Sequence, residues 1–132
     1  MVKSAKDMPV ADQVILVVED DSVQRRQIAR ALISSGYLVS LAASGEEAIE
    51  ILAETAVGIV LTDRRMPGMD GIELLERIKE EYPKVLVGMI TAYPGEGSDF
   101  FPDALLSKPF GHRELLDLVK SLEQKTQPSL DS

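Results

Sequence analysis

The chain reads as a doubly wound α/β domain, five parallel strands with helices on both faces. Three observations predict this. Short apolar runs alternate with segments of helical period between residues 14 and 123, the pattern of successive right-handed strand–helix–strand crossovers. The runs at 57–61 and 85–90 are apolar almost without interruption, as strands buried on both sides are. Unusual polar residues also recur directly behind the strands, where open α/β sheets build their sites.

Strands are expected at 14–19, 37–42, 57–62, 84–90 and 104–107. A first helix over 22–35 carries Ile28, Ala31, Leu32 and Ser35 at i, i+3, i+4, i+7 spacing, and Gly36 closes it as a left-handed residue would. A second, over 45–54, opens on Ser44 and Glu47, an S-x-x-E capping box. A third, over 71–80, has Asp70 as N-cap with Glu73 three residues on. The last, over 111–123, has the cleanest stripe: Leu115, Leu118, Val119 and Leu122. The stretch TAYPGEGSDFFPD, 91–103, breaks the rhythm. It carries two Pro and two Gly and no helical stripe, so one turn at most is expected and the helix fourth in order is short or degenerate. Residues 1–12 read as a flexible leader, 13–123 as the domain, and 124–132 as a flexible polar tail.

The chain has 132 residues, 45% hydrophobic and 27% charged, enough for a single packed domain. Its net charge of −8 argues against direct, sequence-independent nucleic-acid binding, which needs a basic face. With no cysteine, disulfides and thiolate metal sites are excluded. Apolar runs of about six residues fall far short of the roughly 20 a membrane helix needs, so the expected compartment is the cytoplasm.

The acids Glu19, Asp20 and Asp21 follow the first strand, in VILVVEDDS, and Asp63 follows the third, in IVLTD. Thr91 ends the fourth and Lys108 the fifth, in LLSKPF. With strand order 2-1-3-4-5, the order reverses between strands 1 and 3, and Glu19, Asp20 and Asp63 converge on one pocket there. Thr91 and Lys108 form its far wall. Two like charges about 4 Å apart repel by roughly 4 kcal/mol at an effective dielectric near 20, so clustered carboxylates call for water or a cation. Oxygen donors alone suit Mg²⁺, such an ion commonly works with phosphate oxygens, and a carboxylate can itself take up a phosphoryl group.

VILVVEDDSVQRR, IVLTDRRMPGMDG, MITA and LLSKPF, in this order, resemble the receiver domain of two-component response regulators from about Val14 to Glu123. The resemblance implies the flavodoxin-like fold and a phosphoacceptor in a phosphorelay. By the same resemblance the chain is expected to be a signalling domain, not an enzyme on other substrates, catalysing only its own Mg²⁺-dependent phosphorylation and dephosphorylation. By position, Asp63 matches the phosphoacceptor, Glu19 and Asp20 the acidic pair that holds Mg²⁺, and the main-chain carbonyl of Arg65 the remaining protein ligand. Thr91 matches the hydroxyl that turns to the phosphoryl group and Lys108 the ammonium that pairs with it, with a cis peptide at Pro109. The implied partner is a histidine kinase or phosphotransfer protein. Asp21 faces solvent or caps the next helix. Two departures stand out: Leu105 occupies a usually aromatic position, and the Thr91–Lys108 segment is shorter than usual. They motivate the alternative of a receiver-shaped protein-binding module working without phosphorylation. An aspartyl-phosphate hydrolase is disfavoured, because Arg65 stands where such enzymes carry a second acid. His112 is read as exposed, and Arg25, Arg26, Arg64 and Arg65 as charge balance around the acids.

Overall fold

The computed structural model describes residues 13–92 and 101–126. The leader, most of the segment in which a short helix is expected, and the end of the tail lie outside them. The elements are β1 (Val14–Val18), α1 (Ser22–Ser34), β2 (Val39–Ala42), α2 (Gly45–Glu54), β3 (Val57–Asp63), α3 (Gly71–Glu81), β4 (Leu86–Thr91), β5 (Ala104–Ser107) and α4 (His112–Thr126). All five strands form one sheet in the order β2-β1-β3-β4-β5, and every adjacent pair is parallel. The expected order and class are those observed.

Alternation along the strands sorts the core into two layers. Leu16 and Val18 of β1 face α2 and α3, joining Ala48, Leu52, Leu74 and Ile78 in one buried cluster. Ile15 and Val17 face the other way and join Ile28 and Leu32 of α1 with Leu115, Leu118, Val119 and Leu122 of α4. β3 supplies both layers, Val60 to the first and Ile59 and Leu61 to the second. That explains its unbroken apolar sequence.

The helix ends follow their local chemistry. Asp21 caps α1, its carboxylate accepting from the amides of Val23 and Gln24 at 2.9 and 3.0 Å. Ser44 Oγ accepts from Glu47 N at 3.1 Å, and Asp70 Oδ1 from Glu73 N at 2.9 Å. At the far end of α1, Gly36 takes φ +94°. Its amide reaches Ile33 O and that of Tyr37 reaches Leu32 O, the paired bonds of a Schellman motif. This motif holds Tyr37 in the helix-terminal turn and delays β2 from the expected 37 to 39. Within α1, Ile28, Ala29 and Leu32 are buried, while Ser35, the end of the expected stripe, is the C-cap and exposed. The last helix outruns its expected end at 123 by one turn to Thr126. Glu123, Gln124 and Lys125 are good helix formers, and the Lys125 ammonium donates to Asp103 O.

Candidate acidic site at the carboxyl ends of β1 and β3

β1 ends at Val18, and the next residue turns inward. Glu19 is 2% exposed, its amide still bonded to Ala42 O at 3.1 Å across the edge of β2. Asp20 is exposed. On the neighbouring strand, Asp63 closes β3, its side chain 12% exposed. Glu19, Asp20 and Asp63 each offer a carboxylate oxygen, and the three oxygens lie within 4.8 Å of one another. The convergence expected from strand order is therefore present.

The 64–71 turn fixes Asp63. Arg64 N bonds Ile90 O at 2.9 Å and Asp63 Oδ1 at 3.1 Å, while Gly71 N closes the turn on Arg64 O at 2.8 Å. No side chain fits at Gly71: a Cβ there would stand 2.3 Å from Asp63 O and 2.9 Å from Arg64 Cα. The start of α3 is thereby pressed against the end of β3.

Lys108 comes from the far wall. Its amide donates to Thr91 O at 2.8 Å, and its ammonium lies 3.1 Å from Asp63 Oδ1 and 3.7 Å from Glu19 Oε1. The Lys108–Pro109 peptide is cis, as the resemblance implied. Thr91 is buried at 3% exposure, one residue beyond Ile90, which pairs in register with Asp63. Arg65 is exposed two residues past Asp63. Leu105 pairs with Met89 in the sheet and is 42% exposed. His112 is exposed.

Burial pushes the Glu19 carboxyl up from 4.5 to about 7, and the nearby Asp63 charge and a side-chain bond to Asp20 add to the rise. The Asp21 amide, 3.2 Å from Glu19 Oε2, and the Lys108 ammonium pull the other way without cancelling it. Three converging carboxylates beside one ammonium, all oxygen donors, suit a hard divalent cation.

Two contacts went unread in the sequence. Arg25, a charge-balancing residue by sequence, donates through Nη1 to Glu19 O at 2.7 Å and so braces the acidic turn from behind. Gln24 Oε1 accepts from Lys108 Nζ at 3.1 Å. The one sequence signal for Gln24 is its place three residues after the Asp21 cap, in the first turn of α1 beside the strand ends.

The family model described as the response regulator receiver domain matches residues 15–120. This chain belongs to that family. The receiver domain is 34% identical over 126 residues to the response regulator MprA of Mycobacterium sp. strain KMS, a match covering 92% of this chain and 54% of that protein. The chain thus spans about half the length of that curated relative. Among solved structures, a CheY-like receiver domain protein from Methanospirillum hungatei superposes with TM-score 0.81 at 28% identity, covering 86% of this chain and 95% of that one. The response regulator TrrA of Thermotoga maritima, solved in complex with Mg²⁺ and BeF, gives TM-score 0.77 at 30% identity, with 83% and 98% covered. Among the described residues of this receiver domain, no helix is long and apolar enough to cross a membrane.

Proposed function

We propose that residues 13–123 work as the phosphoacceptor of a two-component relay in the cytoplasm, taking a phosphoryl group from a phosphohistidine onto Asp63. The observation that carries this reading is the meeting of Glu19, Asp20 and Asp63 within 4.8 Å with the Lys108 ammonium 3.1 Å from Asp63. A carboxylate oxygen of Asp63 attacks phosphorus. The new P–O bond forms as the P–N bond to the donor imidazole breaks, and the electron pair departs on that nitrogen. Glu19, Asp20, Asp63 and the main-chain carbonyl of Arg65 would hold Mg²⁺, which when bound supplies positive charge against the phosphoryl oxygens.

The chain's own groups do the rest. Lys108 neutralises Asp63 before transfer and pairs with a phosphoryl oxygen after it. Thr91, buried at the end of β4, offers its hydroxyl to the same group. Drawing Thr91 and Lys108 toward the new dianion shifts the surface around these two residues between two states, the change a protein partner reads. Water later attacks the acyl phosphate, returning free Asp63 and inorganic phosphate. The kinase or phosphotransfer partner supplies the phosphohistidine.

The test is labelling with acetyl phosphate, or with a phosphorylated histidine kinase, in the presence of Mg²⁺. The parent chain should take up an acid-stable, base-labile label that Asp63→Asn abolishes. An undiminished label on Asp63→Asn would reject Asp63 as acceptor.

A further inference from the structure

We propose that Gln24 is a positioning residue for phosphoryl transfer: its carboxamide oxygen holds the Lys108 ammonium over Asp63. The inference rests on the phosphoacceptor reading above and extends it to α1. An ammonium has three N–H bonds to direct. Asp63 Oδ1 and Gln24 Oε1 each lie 3.1 Å from Lys108 Nζ, whereas Glu19 Oε1, at 3.7 Å, attracts the charge without a hydrogen bond of normal length. The lysine is thus fixed by two acceptors from different elements, one charged on β3 and one neutral on α1.

Open space lies on the other side of Lys108. A groove of about 650 Å³ runs between α1 and the start of α4, lined by Gln24, Gln27, Ile28, Phe110 and His112 as well as by Lys108 itself. A long lysine stem beside such a space swings unless its head is tied. Gln24 is the tie on the groove side. Being neutral, it restrains the ammonium without competing for its charge when a phosphoryl group arrives.

The position of Gln24 is in turn set by the acidic turn. The Asp21 carboxylate accepts from the Gln24 amide at 3.0 Å, and the Asp21 amide donates to Glu19 Oε2 at 3.2 Å. One capping turn therefore links the cation-side acid to the residue that holds the lysine.

Gln24→Met keeps the length and removes the acceptor. It should slow acetyl-phosphate labelling of Asp63 about fivefold, the worth of one ordinary hydrogen bond. Mg²⁺ affinity by calorimetry and the thermal midpoint should stay at parental values. In a Lys108→Met background the same substitution should cost nothing further. Independently of labelling, the Gln24 carboxamide resonances of the metal-free chain should move on Lys108→Met. The proposal is overturned if Gln24→Met labels within twofold of the parent, slows labelling equally without Lys108, or if the carboxamide resonances stay put. A parent chain that does not label at all rejects the phosphoacceptor reading and this inference together.

Discussion

The Lys108 ammonium is shared by two carboxylates from neighbouring strands, 3.1 Å from Asp63 Oδ1 and 3.7 Å from Glu19 Oε1. The Lys108 side chain is 25% exposed, the Glu19 side chain 3%. Removing it leaves two closely set acids with their nearest counter-charge gone. Lys108→Met should therefore lower metal-free stability by about 1–2 kcal/mol, between the worth of an exposed pair and that of a buried one. Mg²⁺ should recover much of the loss. Urea unfolding with and without Mg²⁺ checks both halves, and equal Mg²⁺ stabilisation of parent and variant would count against the shared-charge picture.

The raised Glu19 carboxyl gives the site a pH dependence with a definite sign. In the metal-free folded chain it titrates at about 7, against 4.5 ordinarily. The folded state thus binds the extra proton between those values. This group's stabilising contribution is full below 4.5 and is lost as pH rises through 7. Metal-free stability from this source falls across that window. Cation binding runs oppositely, since it needs the ionised acid: below 7, Mg²⁺ affinity should drop about tenfold per pH unit and level off above. Calorimetric titration of the parent and of Glu19→Gln checks this; the variant should bind Mg²⁺ more weakly and lose most of the slope.

The fold and the acidic cluster were legible because both rest on local signals. Asp21, Ser44 and Asp70 cap helices where their side chains predict, and the Leu115, Leu118, Val119 and Leu122 stripe is buried as spaced. Strand order then brings Glu19 to Asp63. Gln24 was not legible, because nothing in a glutamine within a polar helical turn announces a lysine 84 residues away. Tyr37 misled for a related reason. Its β-propensity favours a strand, but the Gly36 turn holds its amide on Leu32 O, and its hydroxyl donates to Glu123 Oε1 on α4 at 2.7 Å.

Gly71 should tolerate no larger residue. The Cβ of Gly71→Ala would overlap Asp63 O, at 2.3 Å, and meet Met89 Sδ at 2.9 Å. Relief requires α3 or the end of β3 to move. The expected cost is about 1–3 kcal/mol, as for an overfilled core, with labelling of Asp63 slowed because its backbone is what shifts. Chemical denaturation and labelling rate measured on the same preparation check the pair of effects. A stable variant with parental labelling would show that the turn has slack.

Asp103 should matter for stability while leaving the acidic site intact. Its amide donates to Val87 O at 2.9 Å and its carboxylate accepts from Val87 N at 2.8 Å, so one side chain completes a rung at the start of β4. The same carboxylate pairs with the Lys79 ammonium of α3, and its carbonyl accepts from Lys125 of α4. Helices from both layers are thereby tied to one point, at the opposite end of β4 from Thr91. Asp103→Ala leaves the amide of Val87, a residue with 0% exposure, without its side-chain acceptor and releases Lys79. A loss of about 2–3 kcal/mol follows from a charged hydrogen bond and an orphaned donor. Asp103→Asn keeps an acceptor for Val87 N and gives up the charge facing Lys79, so about 1 kcal/mol is expected. Urea midpoints should rank parent above Asn above Ala, with Asp63 labelling in buffer unchanged in all three. Slowed labelling in the Asn variant would mean that this end of β4 is coupled to the site and not separate from it.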